Sequence, residues 1–246
     1  MTATRHTTIE SPLGTLLAFA DADDRLCGLY MPDQTYGPAQ SQIPARRDGG
    51  GVLARTAEQL DAYFAGDLQD FDLALAPVGS AFQQNVWSAL RTIPYGTTAT
   101  YGEIAAEIGA NGVHAARAVG TANGHNPICV VVPCHRVIGA SGKLTGYAGG
   151  LENKRMLLGL EARVAAGAPD LDEAACFAAM AARDRSADGT FVIGVRTTGV
   201  YCRPSCAGRP DPENVVFLPD TASARRMGLR ACKRCTPDSV QAVLQV

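Results

Sequence analysis

"TYGEIAAEIGANGVHAARAVGTANGHNPICVVVPCHRVIG", residues 100–139, runs from two short helical patterns into an apolar stretch that ends on a cysteine. "TYGEIAAEIG" and "VHAARAVGTANG" read as helices, and Asn111-Gly112 supplies the turn between them, so the segment predicts a helix-turn-helix. "VVVPCHRVIG" then sets Cys134 directly before His135. A cysteine that attacks needs a lowered pKa, a partner that takes its proton and something that orients that partner. Adjacent residues on a strand point to opposite faces, so the two side chains cooperate only where the backbone kinks, and Pro133 favours such a kink. On these residues alone, a small buried cysteine beside a surface histidine is favoured over a thiol–imidazole pair, because most unpaired cysteines are small core residues.

Outward from this stretch, "APVGSAFQQNVWSALRTIPYG" marks a boundary: Pro77 and Gly79 precede Ser80, an N-cap, and a helix that presents Phe82, Val86, Trp87 and Leu90. Before it lie β-like runs, "TTIESPLGTLLAFA" and "LCGLYM", and a Gly/Pro/Gln-rich stretch at 33–51. "LARTAEQLDAYFAG" follows, with Leu53, Leu60, Tyr63 and Phe64 at helical spacing. After it come an amphipathic helix, "LENKRMLLGLEARV", and a linker at 164–175. The expected architecture has three parts. Residues 1–79 form an α/β subdomain of a small sheet plus a helix. Residues 80–165 form a mostly helical, winged-helix-like domain with the helix-turn-helix, and 172–246 form a small α+β domain.

The chain has 246 residues, 46% apolar and 19% charged, which suffices for one large core or two to three smaller ones. No stretch approaches the roughly 20 apolar residues of a membrane span, and "MTATRHTTIESPLG" lacks the apolar block of a signal peptide. The expectation is a soluble, cytoplasmic protein and a monomer. Eight cysteines in a reducing compartment point to thiols, metal or catalysis rather than a disulfide framework. Net charge is −2, but unevenly spread: five Lys and Arg stand against eleven Asp and Glu in residues 1–80, seven against four in 81–165, and ten against nine in 166–246. A polyanion would therefore meet the middle and last thirds.

In the last third, "YCRPSC" and "CKRC" place Cys202, Cys206, Cys232 and Cys235 as a C-x3-C and a C-x2-C pair with 25 residues between them. Two such pairs predict one tetrahedral Zn2+ site; no organic cofactor is expected. With few large apolar side chains, the segment is expected to take much of its stability from the metal. Arg196, Arg203, Arg230, Lys233 and Arg234 gather near the pairs, as phosphate contacts or as solvated surface. Cys27 alone cannot build a metal site, and Cys129 and Cys176 are read as buried or incidental.

"AARAVGTANGHNPICVVVPCHRVIG…GYAGGL" resembles the O6-alkylguanine-DNA alkyltransferases over about residues 80–163. The resemblance implies DNA repair by irreversible transfer of a methyl or alkyl group from guanine O6 to Cys134, each cysteine reacting once. His135 would act as base through a bridging water, Glu161 would hold its tautomer, and Asn126 would fix the active-site turn, a triad logic applied to sulfur. It further implies base flipping from double-stranded DNA: the second helix enters the minor groove with little bulk at Ala116 and Gly120, and Arg117 fills the gap left by the base. Tyr101 would assist the leaving guanine, and Tyr147 with its glycines would close over it. Residues 173–240 resemble the Ada-type zinc-binding domain, in which the first zinc cysteine, matching Cys202, accepts a methyl group from a DNA methylphosphotriester. Here that unit follows the alkyltransferase part, and no AraC-like helix-turn-helix lies between them, so the resemblance does not extend to reading promoters. A rival reading is a non-catalytic damage sensor or regulator; another keeps the zinc unit as a structural or DNA-docking appendage.

Overall fold

The computed structural model describes residues 3–47, 50–142, 144–165 and 171–239. The chain packs as two compact units, Met1–Ala140 with Thr145–Lys154, and Ser141–Leu144 with Arg155–Val246.

In the first unit, β1 (Arg5–Ile9), β2 (Leu16–Ala20) and β3 (Leu26–Tyr30) form an antiparallel sheet in sequence order. Leu16, Ala18, Leu26 and Leu29 face inward and are fully buried. Helix α1 (Gly51–Ala65) packs with this sheet through Val52, Leu53, Thr56, Leu60 and Tyr63, and stops at Gly66, which takes the left-handed conformation at φ 87°. Phe64 is only partly buried.

Helix α2 (Ala81–Leu90) starts as the sequence predicts. Ser80 Oγ accepts the Gln83 N–H and Gln83 Oε1 accepts the Ser80 N–H, a reciprocal cap. Val86, Trp87 and Leu90 are buried; Phe82, on the first turn of the same face, is 37% exposed. The strand β4 (Ala99–Thr100) leads into α3 (Tyr101–Glu107), capped by Thr100 and Glu103 in the same reciprocal way. Helix α4 (Ala115–Gly124) completes the helix-turn-helix and buries Val119, Ala122 and Asn123. Trp87 Nε1 donates to Ala122 O at 2.9 Å, fixing α4 against α2. The strand β5 (Val137–Ile138) pairs in parallel with β4.

Helix α5 (Leu151–Ala165) begins in the first unit and continues in the second. Of the expected linker at 164–175, residues 164–165 belong to α5, 166–170 lie outside the described residues, and α6 (Glu173–Ala182) is already capped by Asp172, whose Oδ1 accepts the N–H groups of Ala174 and Ala175. A four-stranded sheet follows, built from β6 (Val192–Val195), β7 (Val200–Cys202), β8 (Val215–Leu218) and β9 (Arg230–Ala231) in the order β8-β6-β7-β9, with α7 (Thr221–Arg226) between β8 and β9. Contrary to the expectation from composition, this unit owns an apolar core. Cys176, Phe191, Ile193, Val215 and Phe217 are buried together, and Phe177 and Phe191 each meet Phe217 edge-on, with centroids 4.7 and 5.6 Å apart. No helix among the described residues is long and apolar enough to cross a membrane.

Candidate active site and metal centre

The segment before Cys134 is a chain of tight turns. Leu29 N–H donates to Pro127 O at 2.7 Å and Cys129 N–H to Leu29 O at 2.9 Å, so β3 grips residues 127–129 along its free edge. Val131 N–H then closes onto Cys129 O at 2.7 Å around Val130, whose φ is +65°. A β-branched residue in the left-handed region is strained and must be held by its surroundings. Cys134 N–H closes onto Val132 O at 2.8 Å around Pro133 (φ −81°, ψ 62°), and Cys134–Arg136 make one turn of 3-10 helix. This is the kink the sequence required, and it buries Cys134 and His135 together, 5% and 0% exposed.

Asn126 holds the turn. Its Nδ2 donates to Val132 O at 2.8 Å and Ile128 O at 3.3 Å, and its Oδ1 accepts the Ile128 N–H at 3.0 Å. An Asn126→Ala variant should lose about 1–3 kcal/mol of stability, because the buried Ile128 N–H loses its partner while the Val132 and Ile128 carbonyls keep the N–H groups of Cys134 and Val132. Urea unfolding followed by Trp87 fluorescence measures this, and a loss under ~0.5 kcal/mol would mean the turn holds itself.

Cys134 lines a cavity of about 10 Å3 with Asn123, Asn126, Cys129 and Tyr147. Its Sγ lies 3.9 Å from Tyr147 Oη, and Asn123 Nδ2 donates to Cys134 O at 3.2 Å. Burial pushes the Cys134 thiol above its ordinary value, opposed by hydrogen bonds from Asn126 and Tyr147 and by the charge of Lys154. Sharing Gly124, Tyr147 and Ala148 with this cavity is an open cleft of about 540 Å3, also lined by Tyr101, Ala116, Arg117, Gly120 and Thr121. Ala116 and Arg117 are exposed on α4, and Val113, in the turn ahead of it, is 94% exposed. Tyr101 Oη donates to the carbonyls of Thr145 and Gly146 at 3.4 and 3.5 Å, and burial raises its pKa. The first unit thus gathers Cys134, His135, Asn126 and Tyr147, with Tyr101, Ala116, Arg117 and Gly120 along the adjoining cleft. Glu161 is fully buried on the part of α5 that belongs to the second unit.

Sequence reasoning missed Lys154, Arg136 and Asn123. Lys154 is fully buried: Nζ donates to Val137 O at 2.5 Å and Thr145 O at 3.3 Å and stands 5.8 Å from the Tyr147 ring centroid. Burial brings its pKa down to about 8. Arg136 is buried too, donating to Ile93 O at 2.7 Å and lying over the Tyr95 ring, which anchors the turn from below. Both cations sit in polar-looking motifs, "PCHR" and "ENKR", that give no sign of burial. The cue is that each flanks an apolar run.

In the second unit, the parallel pairing of β7 with β9 sets Cys202 beside Cys232, and Cys232 N–H donates to Tyr201 O at 2.9 Å. Cys206 and Cys235 close the group, and the four Sγ atoms all lie within 4.8 Å of one another. Tetrahedral zinc with Zn–S bonds of about 2.3 Å needs sulfurs about 3.8 Å apart, so the cluster fits the metal. The chemistry agrees. Burial and the neighbouring thiols hold Cys202 far up and push Cys235 to about 12. At Cys232 burial is outweighed by the backbone N–H groups of Cys235 and Arg234, which bring it down to about 7. Thiols that oppose one another's ionisation take up a divalent cation readily. Around the cluster, Asp188 accepts the Ser205 hydroxyl at 2.7 Å and N–H at 3.0 Å, and Tyr201 Oη donates to Asp238 at 2.6 Å. The same unit carries a cleft of about 750 Å3 lined by Arg155, Arg196, Arg225 and Arg230.

The first unit thus buries a thiol and an imidazole in consecutive residues of one tight turn, next to an open cleft. Residues 81–163 match the family model described as 6-O-methylguanine DNA methyltransferase, DNA binding domain, and residues 4–77 match its ribonuclease-like domain; residues 175–238 match the metal binding domain of Ada. The methylated-DNA–protein-cysteine methyltransferase of Mycolicibacterium paratuberculosis is 58% identical over 158 residues, which is 64% of this chain and 92% of that protein. Its counterpart in Methanosarcina acetivorans is 50% identical over 153 residues, 62% of this chain and 94% of the other. The crystal structure of Mycobacterium tuberculosis OGT in complex with DNA shares 52% identity and superposes with a TM-score of 0.60, covering 68% of this chain and 96% of that one. The chain belongs to the methylated-DNA–protein-cysteine methyltransferase family, and its C-terminal unit carries an Ada-type zinc site of four cysteines.

Proposed function

We propose that this protein repairs alkylated DNA by taking the alkyl group of O6-alkylguanine onto Cys134, once per molecule, and that Cys202 accepts a methyl group from DNA methylphosphotriesters. The observation that carries the reading is Cys134 beside His135 in a tight turn, lining a cavity that shares its walls with a cleft along the exposed face of α4. Three parts, 1–79, 80–165 and 172–246, divide the labour, with a winged-helix-like middle part, in a cytoplasmic monomer.

The alkylated nucleotide leaves the duplex between Ala116 and Gly120, where small residues let the backbone of α4 approach the minor groove, and Arg117 takes its place in the stack. A cavity of about 10 Å3 holds no guanine, so the loop at 147–149 moves aside and closes again over the base. His135 draws the Cys134 proton through a water. The thiolate attacks the alkyl carbon, the C–S bond forms as C–O6 breaks, and the guanine takes a proton on departure with help from Tyr101. The product is a thioether, which no group in the site can cleave.

Lys154 favours the thiolate by charge. A Lys154→Met variant should transfer about tenfold more slowly at pH 7, the factor of one pKa unit, with its rate profile displaced to higher pH; an unmoved profile would remove Lys154 from the reaction. Stability gives a second readout. The unfolded chain holds the Lys154 proton up to about 10.5 and the folded one only to about 8. Wild-type stability therefore rises with pH between those values, by on the order of 3 kcal/mol, and the variant lacks that rise.

Cys202, Cys206, Cys232 and Cys235 would hold zinc, which keeps a bound thiolate nucleophilic at neutral pH. Four thiolates on Zn2+ carry a net charge of −2; methylation at Cys202 leaves −1 and reduces repulsion from DNA phosphates. The arginines of the nearby cleft offer those phosphates a seat. The test is intact-mass and peptide mass spectrometry after incubation with a duplex holding one O6-methylguanine, and separately with methylphosphotriester DNA. One methyl on the Cys134 peptide, and one on the Cys202 peptide, are the expected results. A folded, zinc-loaded protein that binds the duplex yet gains nothing on Cys134 would be a damage sensor.

A further inference from the structure

The loop after β3 carries no motif, yet it builds one wall of the cleft. Gln34 Nε2 donates to Asn126 O at 3.4 Å, its Oε1 accepts the Met31 N–H at 3.2 Å, and its side chain borders the Cys134 cavity. Thr35 donates twice to Ala148 O, from its N–H at 3.0 Å and its hydroxyl at 3.3 Å, tying this loop to the one that covers Cys134. Tyr36 then lies on His125, the residue that ends α4, with ring centroids 3.9 Å apart and planes at 19°. Gly124 borders it: a Cβ there would stand 3.4 Å from the Tyr36 ring, in ordinary contact. Although stacked, Tyr36 remains 50% exposed and lines the cleft together with Tyr101, Arg117 and Tyr147.

A large aromatic held in place on one face and open to a cleft on the rest of its surface is a platform for another flat ring. Stacking of a nucleobase on such a platform is tolerant of sequence and strong enough to hold a base out of a duplex. We infer that Tyr36, backed by His125, is a substrate-positioning residue whose ring bears on the extruded alkylated base on its way to Cys134. The inference rests on Cys134 being the acceptor. It assigns to the first third of the chain a direct part in handling the base.

The test is single-turnover transfer from a duplex holding one O6-methylguanine, at protein concentrations below saturation, with affinity for the undamaged duplex measured alongside. Tyr36→Phe keeps the ring and should react as the wild type does. Tyr36→Leu keeps much of the volume without the π face, and Tyr36→Ala removes both; each should lose a factor of about 5–150 in rate, the range base–aromatic stacking supplies. Undamaged-duplex affinity and the melting point read from Trp87 should hold for Tyr36→Leu, since neither depends on an extruded base. Rates for Leu within twofold of wild type, an equal loss in Phe, or a parallel loss of undamaged-duplex affinity would each overturn the inference. Failure of the acceptor reading itself looks different: the wild type then gains no methyl on Cys134.

Discussion

Replacing Cys134 by Ser will leave a protein that folds, binds a duplex containing O6-methylguanine as the wild type does, and never acquires the methyl group. The substitution changes one atom in a cavity of about 10 Å3, and the turn that carries it is held through backbone carbonyls, by Asn126 at Val132 and by Asn123 at Cys134. Packing is therefore spared. The chemistry is not, because a hydroxyl gives up its proton far less readily than a thiol and is a weak nucleophile toward saturated carbon. Even the thiol is raised by its burial, so its proton needs an acceptor, the part proposed for His135. An adduct on the substituted serine, or on Cys129 in the same cavity, would show that the site does not depend on this sulfur. Loss of duplex binding would show that Cys134 matters to the fold rather than the reaction.

The second large effect is expected from stripping zinc. Structural zinc in small domains contributes about 10–16 kcal/mol of apparent binding free energy at neutral pH, against a total stability of about 5–15 kcal/mol for an ordinary domain. The core of Phe177, Phe191, Phe217 and their neighbours is too small to make up that difference. A strong chelator should therefore unfold the β6–β9 unit and abolish any transfer to Cys202. Trp87, the only tryptophan, lies in the first unit, so its emission should stay unchanged while far-UV circular dichroism falls, and transfer to Cys134 should continue. Retention of the dichroism and of a cooperative melt after complete removal of zinc would mean that the aromatic core suffices.

The sequence carried these sites unequally. The four zinc cysteines are legible because their chemistry requires fixed residue types at fixed spacing, whereas the Cys134–His135 pair is legible only through the resemblance of the residues around it to a known family. The helix starts at Ser80 and Thr100 are legible because capping is local. Lys154 and Tyr36 are not, for opposite reasons. Lys154 is read as a solvent-facing charge until the backbone carbonyls of Val137 and Thr145 are seen to receive it. Tyr36 sits in a stretch rich in Gly, Pro and Gln that resembles a plain connection, and only the pairing of β3 with residues 127–129 brings it to the cleft. Long-range pairing of that kind leaves no periodic trace. The aromatic core of the second unit was underestimated likewise, since its members are scattered over residues 176–217.

The parallel ladder between β7 and β9 sets the order in which the second unit can be assembled. Cys202 and Cys232 become neighbours only when two strands far apart in the chain align in the same direction, and closing such a loop is slow compared with forming a hairpin. A growing polypeptide that has delivered Cys202 and Cys206 holds half a binding site and nothing to complete it. Capture of a metal by all four cysteines must therefore wait until residue 235 has left the ribosome, whatever the zinc supply while the preceding residues are made.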